Sequence, residues 1–435
     1  MKATLIGITF AALSSAAVAS VPTVTVTSTS QDANSRKVTI QYSVAGEPAI
    51  VTPSVQTNRG DGTWVDIGDA NLTFFAGDMN KLVGVGSHTA TWRPDKAWPD
   101  HLIADKSLRI GVTAWATNAP PDYMVVDLAT EGTVRFYTSA AALPDGGVTA
   151  DVYKTDRLVM RRIPAANVTY RMGAPTTELG RNSDYETPHE VTLTYDFYIG
   201  VYEVTQRQYE ILTGSRPSLF KLDSDYATRP VENVCWYDLC GDAGTPYWPN
   251  SENVPSSSFL YMLRNRSKIG SFHLPLNSQW EYACRAGCGS ALYIGEEITN
   301  KVYSANLNTI ARYQSNAYNG EPISGRTIDP ATATTDYGTA KVGSYQPNAW
   351  GLYDMLGNVK EWFRDANWES KPPADPEIGP TSGTMGWRCL NNGSWDTNAS
   401  KVRCASRASA PTDRRDNTYG FRVSCKAVFS EALIK

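Results

Sequence analysis

The chain has 435 residues, a formal net charge of −4 and only 19% charged residues. That mild acidity, with no basic stripe anywhere, excludes nucleic acid as a partner, and no apolar run is long enough to predict a transmembrane segment. The length exceeds one ordinary core and predicts at least two domains.

Residues 1–19 read as a signal peptide. Lys2 supplies a positive start, Leu5 to Val18 is apolar, and Ala17-Val18-Ala19 fits the small-x-small cleavage pattern. The mature protein is therefore expected to begin near Ser20 and to be secreted or to lie in the periplasm or cell envelope. Residues 20–140 read as a β-sandwich of the immunoglobulin or fibronectin kind. Thr23 to Thr27 and Lys37 to Val44 alternate apolar with polar side chains, and Asn58-Arg59-Gly60-Asp61-Gly62 is a run of turn formers. Further strands are expected near Leu108–Val112 and Val134–Tyr137. No catalytic grouping occurs there. Residues 141–164 are expected to be a linker, turning at Leu143-Pro144-Asp145-Gly146-Gly147.

Beyond residue 165 the texture changes to short strands, short helices and long coils. Thr205-Gln206-Arg207-Gln208 and Ser278-Gln279-Trp280-Glu281 fit capping boxes, closing at Gly214 and Gly287, and a third helix is expected from Ser258 to about Arg266. Tyr293 to Tyr345 is rich in Asn, Thr and Gly, a coil that needs metal ions, disulfides or aromatic packing to hold it. All seven cysteines fall in this half: 235, 240, 284, 288, 389, 404 and 425. In an exported chain they favour disulfides with one sulfur left over. The alternative, zinc held by Cys235, Cys240, Cys284 and Cys288, requires gaps looser than those of most zinc sites.

The densest stretch is Leu352 to Trp362. Asp354, Gly357 and Glu361 place two carboxylates and a permissive backbone within eight residues, a spacing that can wrap a hard cation such as calcium. There are four His and no His-x-x-x-His, His-Glu-x-x-His or glycine-rich phosphate loop. An Arg-rich run (Arg403, Arg407, Arg414, Arg415, Arg422) reads either as an anion-binding groove or as surface salt bridges.

The order of motifs then becomes distinctive. Tyr170-Arg171-Met172-Gly173, Phe197 to Thr205, Arg229 to Val234, Leu274 to Gly287, the 352–362 loop, Asn392-Gly393-Ser394-Trp395, Val402-Arg403-Cys404 and Gly420-Phe421-Arg422-Val423 follow one another. Over residues 165–428 the chain closely resembles the formylglycine-generating enzyme (sulfatase-modifying factor) family. The resemblance implies an α+β fold of the C-type-lectin-like kind, held by calcium, after the all-β sandwich. It implies a calcium site of Asp354 and Glu361 side chains with main-chain oxygens of Gly357 and Val359, a disulfide between Cys284 and Cys404, and a substrate groove near Ser394, Trp395, Arg403 and Arg407. Family enzymes oxidise a sulfatase cysteine to formylglycine with copper and oxygen, through two active-site thiols. Those two positions are Thr397 and Ala399 here, and an active-site Trp is Lys360. Copper(I) needs soft thiolates that neither residue provides.

The sequence thus points to a calcium-stabilised module that binds a peptide, an exported protein or a glycan. The alternative is an oxidase, still requiring copper, that works through an altered site around Ser394, Cys389 and Lys360. A third reading makes both domains parts of an envelope assembly.

Overall fold

The computed structural model describes residues 21–434 apart from 59, 102–107, 131, 223, 242–252, 367–385 and 392. The expected signal peptide, residues 1–19, lies outside the described residues. Among the described residues, eight strands build the all-β N-terminal region: β1 (Thr23–Gln31), β2 (Val38–Ala45), β3 (Ala49–Asn58), β4 (Trp64–Asp66), β5 (Phe75–Gly77), β6 (Lys81–Val83), β7 (Gly86–Trp92) and β8 (Leu108–Trp115). One sheet runs β1-β2-β7-β5; the other runs β4-β3-β6, with β8 also paired to β3. The period-two pattern of β2 turns Val38, Ile40, Tyr42 and Val44 inward. They pack with Trp92 of β7 and with Val51 and Val55 of β3. A short helix, α1 (Pro94–Ala97), starts on a proline whose missing N–H costs nothing there.

The chain leaves the sandwich earlier than expected. β9 (Tyr123–Asp127) and β10 (Val134–Tyr137) form, but in a different sheet, of order β10-β9-β11-β14-β19. Its other members are β11 (Arg157–Ile163), β14 (Phe197–Gly200) and β19 (Ser424–Lys426). Two expectations shift as a result. Val134–Tyr137 is not a sandwich strand, and the 141–164 connection contains the central strand of the second sheet. The physical reason is legible in β9: Tyr123 to Val126 are all buried, so this strand needs cover on both faces, which an outer sandwich strand lacks. β11 resembles a loop because Arg161 and Arg162 interrupt it, yet they pair at its margin with Asp122 and Asp196.

Among the described residues, four helices cover this sheet and its surroundings: α2 (Gln206–Thr213), α3 (Trp236–Cys240), α4 (Phe259–Ser267) and α5 (Asn277–Arg285). The first capping box forms as expected. The Thr205 hydroxyl accepts the Gln208 N–H at 3.2 Å, the Gln208 side chain accepts the Thr205 N–H at 3.0 Å, and Gly214 ends the helix at φ 71°. Ser258 caps α4, accepting from the Tyr261 N–H at 3.3 Å. For α5 the start moves two residues earlier, to Asn277, whose N–H goes to Asp365 at 2.7 Å. Ser278 therefore lies inside the helix, and Glu281 is released for ion pairs. One core runs from Ile50 and Leu82 of the sandwich through Met124 and Phe136 to Trp236, Phe259 and Phe421.

The remaining strands are β12 (Val168–Met172) paired with β13 (His189–Leu193), and a sheet of order β17-β16-β15-β18 from β15 (Lys360–Ala366), β16 (Trp387–Asn391), β17 (Arg407–Pro411) and β18 (Tyr419–Gly420). In the 293–345 coil, buried guanidiniums do much of the fastening. Arg312 donates to the Gly338 and Asn316 carbonyls at 2.8 Å each, and Arg229 to the Ala333 carbonyl at 2.9 Å.

Candidate functional site

The 352–362 loop enters β15 through three residues of left-handed backbone, Asp354 (φ 54°), Gly357 (φ 81°) and Asn358 (φ 55°). At Gly357 a Cβ would lie 2.1 Å from the Arg312 carbonyl oxygen, so only glycine fits. The loop is pinned by the Asn358 N–H to the same carbonyl at 2.8 Å. The Asn358 side chain accepts from the Ala340 N–H at 2.9 Å and donates to Glu203 at 2.6 Å.

This winding brings Asp354, Glu361 and Glu203 together with Arg422 in a fully buried group. Arg422 grips both Glu361 oxygens, through Nε at 2.9 and 2.7 Å and Nη2 at 2.7 Å, and donates to the Gly200 carbonyl at 2.9 Å. The Trp280 indole N–H adds a bond to Glu361 at 2.8 Å. Burial first, and then the charges of Asp354 and Glu361, push the Glu203 carboxyl well above its usual value. Burial likewise raises Asp354 to about 6. Three carboxylates face one guanidinium, so the group as a whole favours added positive charge.

The four residues expected to hold calcium therefore divide. Asp354 accepts the Gly343 N–H at 2.6 Å through Oδ2, while its buried Oδ1 has no hydrogen-bond partner in the structure, an oxygen suited to a hard cation. Gly357 and Val359 lie on the same loop. Glu361 does not present a donor in this arrangement, because Arg422 and Trp280 occupy its oxygens. Among the described residues no set of three or more His, Cys, Asp or Glu side chains is placed to hold a metal. Any cation here would rest on Asp354 and main-chain oxygens.

The second focus is the turn after β16. Ser394 is fully buried and its hydroxyl donates to Asp396 at 2.7 Å. The Thr397 hydroxyl accepts the Ser394 N–H at 2.9 Å and donates to the Ser394 carbonyl at 3.0 Å, closing the turn on itself. Ala399 is buried, its N–H on the Val302 carbonyl at 3.1 Å. Neither a hydroxyl hydrogen-bonded within its own turn nor a buried methyl offers the soft thiolate that copper(I) prefers. Lys360 is half-buried beside the Tyr419 ring, 5.5 Å from its centre. Cys389 is buried, with its sulfur 3.1 Å from the Ala366 carbonyl oxygen.

The expected groove residues are corrected by their burial. Arg403 is 1% exposed; it pairs with Glu178 and with both oxygens of Glu186, at 2.9 and 3.0 Å. Arg407 pairs with Glu281. Burial opposes charge on Glu281, but Arg285, Arg407 and the Gly173 N–H hold it below its usual value. Trp395 is 8% exposed, edge-on to Phe220 at 5.3 Å, with its indole N–H on the Asn417 carbonyl. None of the three lines an open surface. The Arg-rich run is neither a groove nor, for the most part, a surface network: Arg403, Arg407 and Arg422 fasten the interior, and only Arg414 and Arg415 form outer pairs.

All seven cysteines are free thiols in the structure. Cys284 and Cys404 are buried together with their sulfurs 3.6 Å apart, in contact but unbonded. The four-thiolate zinc arrangement does not form: Cys240 and Cys284 lie in separate cores. Glu203, Glu178 and Glu186 complete these buried groups, and sequence reading passed them over. For Glu203 the signal was present, as a lone acid in the apolar run Val201-Tyr202-Glu203-Val204.

Comparison with known proteins places these features. Residues 155–427 match the sulfatase-modifying factor enzyme 1-like domain. A protein from Paenibacillus barcinonensis named chaperone protein LppX is 34% identical over 224 residues, 47% of this chain and 71% of that one. The formylglycine-generating enzyme of Bos taurus is 24% identical over 293 residues, 60% of this chain and 74% of that one. Among solved structures, Treponema denticola variable protein 1 is similar with a TM-score of 0.45 and 26% identity, over 62% of this chain and 95% of that one.

Proposed function

The chain belongs to the sulfatase-modifying factor enzyme 1-like domain family, and from that premise we propose that it is an exported, calcium-stabilised module that binds a peptide or glycan and has lost the family's oxidation chemistry. The observation that carries this reading is the pair Thr397 and Ala399, standing where two copper-binding thiolates are required. In support, the Thr397 hydroxyl is engaged within its own turn and Ala399 offers only a buried methyl. The oxidase alternative would act through Ser394, Cys389 and Lys360. The first two are buried, which disfavours direct contact with a substrate cysteine. The relative named as a chaperone is in keeping with a polypeptide partner.

Calcium in this reading is structural. Asp354 Oδ1, with main-chain oxygens of Gly357 and Val359, would hold the ion, and its charge would offset the surplus of buried carboxylates. Glu361 would join only by yielding an oxygen from Arg422. The protein is expected to melt higher in calcium than in chelator, and Asp354→Ala should abolish the difference. At a calcium concentration 100 times the dissociation constant the gain would be about 2.7 kcal/mol. Calorimetric titration with a Cys-x-Pro-x-Arg peptide and with an array of immobilised glycans tests the binding itself. Saturable binding of either, weakened by chelator, supports the proposal. Binding of neither overturns it.

A further inference from the structure

The two sheets meet at a cleft of about 430 Å³, lined from the sandwich side by Thr73, Phe74 and Asn80 and from the other by Asp127, Arg135 and Arg157. Its size falls within the roughly 300–1,000 Å³ typical of small-molecule sites, which favour such junctions. None of its lining residues belongs to the 352–362 loop, and all but Arg157 precede residue 155, where the family match begins.

Phe74 is the unusual residue. It is 53% exposed and stands at φ 58°, a backbone region that bulky side chains avoid. Strain of that kind persists where the surrounding structure enforces it, and it clusters at ligand sites. Here the enforcement is visible: Phe75 stacks on Trp92 at 5.5 Å, and the Phe74 carbonyl accepts the Arg93 N–H at 3.3 Å. The opposite wall is polar and already ordered. Arg157 bridges Asp127, at 3.7 Å, and Asp145, and Arg135 donates to the Met79 carbonyl at 3.0 Å.

The chemistry of the wall selects the ligand. The two carboxylates and two guanidiniums lining the cleft sum to zero, which disfavours a strongly charged ligand. Planar groups fixed by ion pairs supply donors and acceptors in set directions. An aromatic face, with its partial negative charge, accepts the polarised C–H groups of a sugar ring. Adding a peptide strand along β10 is obstructed, because the Phe136 N–H is already bonded to the Asn80 carbonyl at 2.7 Å. We infer that this cleft is a saccharide site for a neutral sugar unit, with Phe74 as its stacking platform. The inference stands independently of whether the 352–362 region binds a peptide.

Maltose, cellobiose, lactose and diacetylchitobiose, titrated calorimetrically into the full-length protein with glucuronate as a charged control, test it. At least one neutral disaccharide should bind and glucuronate should not. Phe74→Gly should weaken that binding about tenfold or more, the loss of one aromatic platform, while leaving the melting temperature unchanged or higher because the strain is relieved. Thr130→Trp, at an exposed rim position, should block the cleft and have the same effect on binding. No binding by any of the four sugars, or binding that both variants leave intact, overturns the assignment. Loss of sugar binding in Phe74→Gly with peptide binding retained separates this site from the one proposed above.

Discussion

Single buried charges decide much of this protein's behaviour. Burial raises Glu232 to about 8, against the hydrogen bonds of the Phe220 and Leu219 N–H groups and the attraction of Arg229, and with the repulsion of Asp416. Its Oε1 accepts the Phe220 N–H at 2.8 Å, and its Oε2 is unpartnered. Between its usual 4.5 and about 8, the folded state keeps a proton that the unfolded chain has released. Stability must therefore fall as pH rises through that window, by up to about 1.4 kcal/mol per pH unit for this one group. Glu232→Gln should flatten that part of the profile, measured by denaturant unfolding from pH 5 to 8. Arg403 makes the opposite case, a charge fully paired. Arg403→Ala would strand Glu178 and Glu186 and should cost about 3–5 kcal/mol in the same unfolding experiment. A groove residue would instead change binding at little cost in stability. Sequence alone cannot separate these outcomes, since Arg403 and Arg414 look alike until burial distinguishes them.

At the scale of elements, what was legible followed from local rules. The α2 cap, with its Thr, its Gln three residues on and its closing glycine, needs no tertiary information, and it forms as written. Thr205→Ala should cost about 1 kcal/mol by loss of the cap, read from the unfolding midpoint. The start of α5 was misplaced because its first N–H is satisfied by Asp365, a residue 88 positions away that no local rule can find. The 352–362 loop lies between these cases. Its acids and glycine are legible as a turn of special backbone, but Arg422, which takes Glu361, comes from the short connection between β18 and β19, 61 residues further along the chain. β9 and β11 show the same limit. Neither was expected as a strand, since β9 lies outside the alternating runs and β11 falls in the expected linker, and sheet membership depends on which core can cover a strand on both faces.

Across the whole molecule, the order of motifs was enough to give the family and the α+β fold, because that order survives even where individual residues have changed. The boundary between the two halves was not legible. β9 and β10 continue the strand texture of the sandwich while belonging to the next sheet, and the core passes from Ile50 and Leu82 to Met124 without a break. The central claim is that a family domain retains its frame without its oxidation chemistry. It is tested most directly by incubating the purified protein, with copper and calcium under air, with a Cys-x-Pro-x-Arg peptide, and following the cysteine by mass spectrometry. The account predicts that the cysteine remains unconverted. Formylglycine formed in proportion to enzyme, and lost in Cys389→Ser, would contradict it.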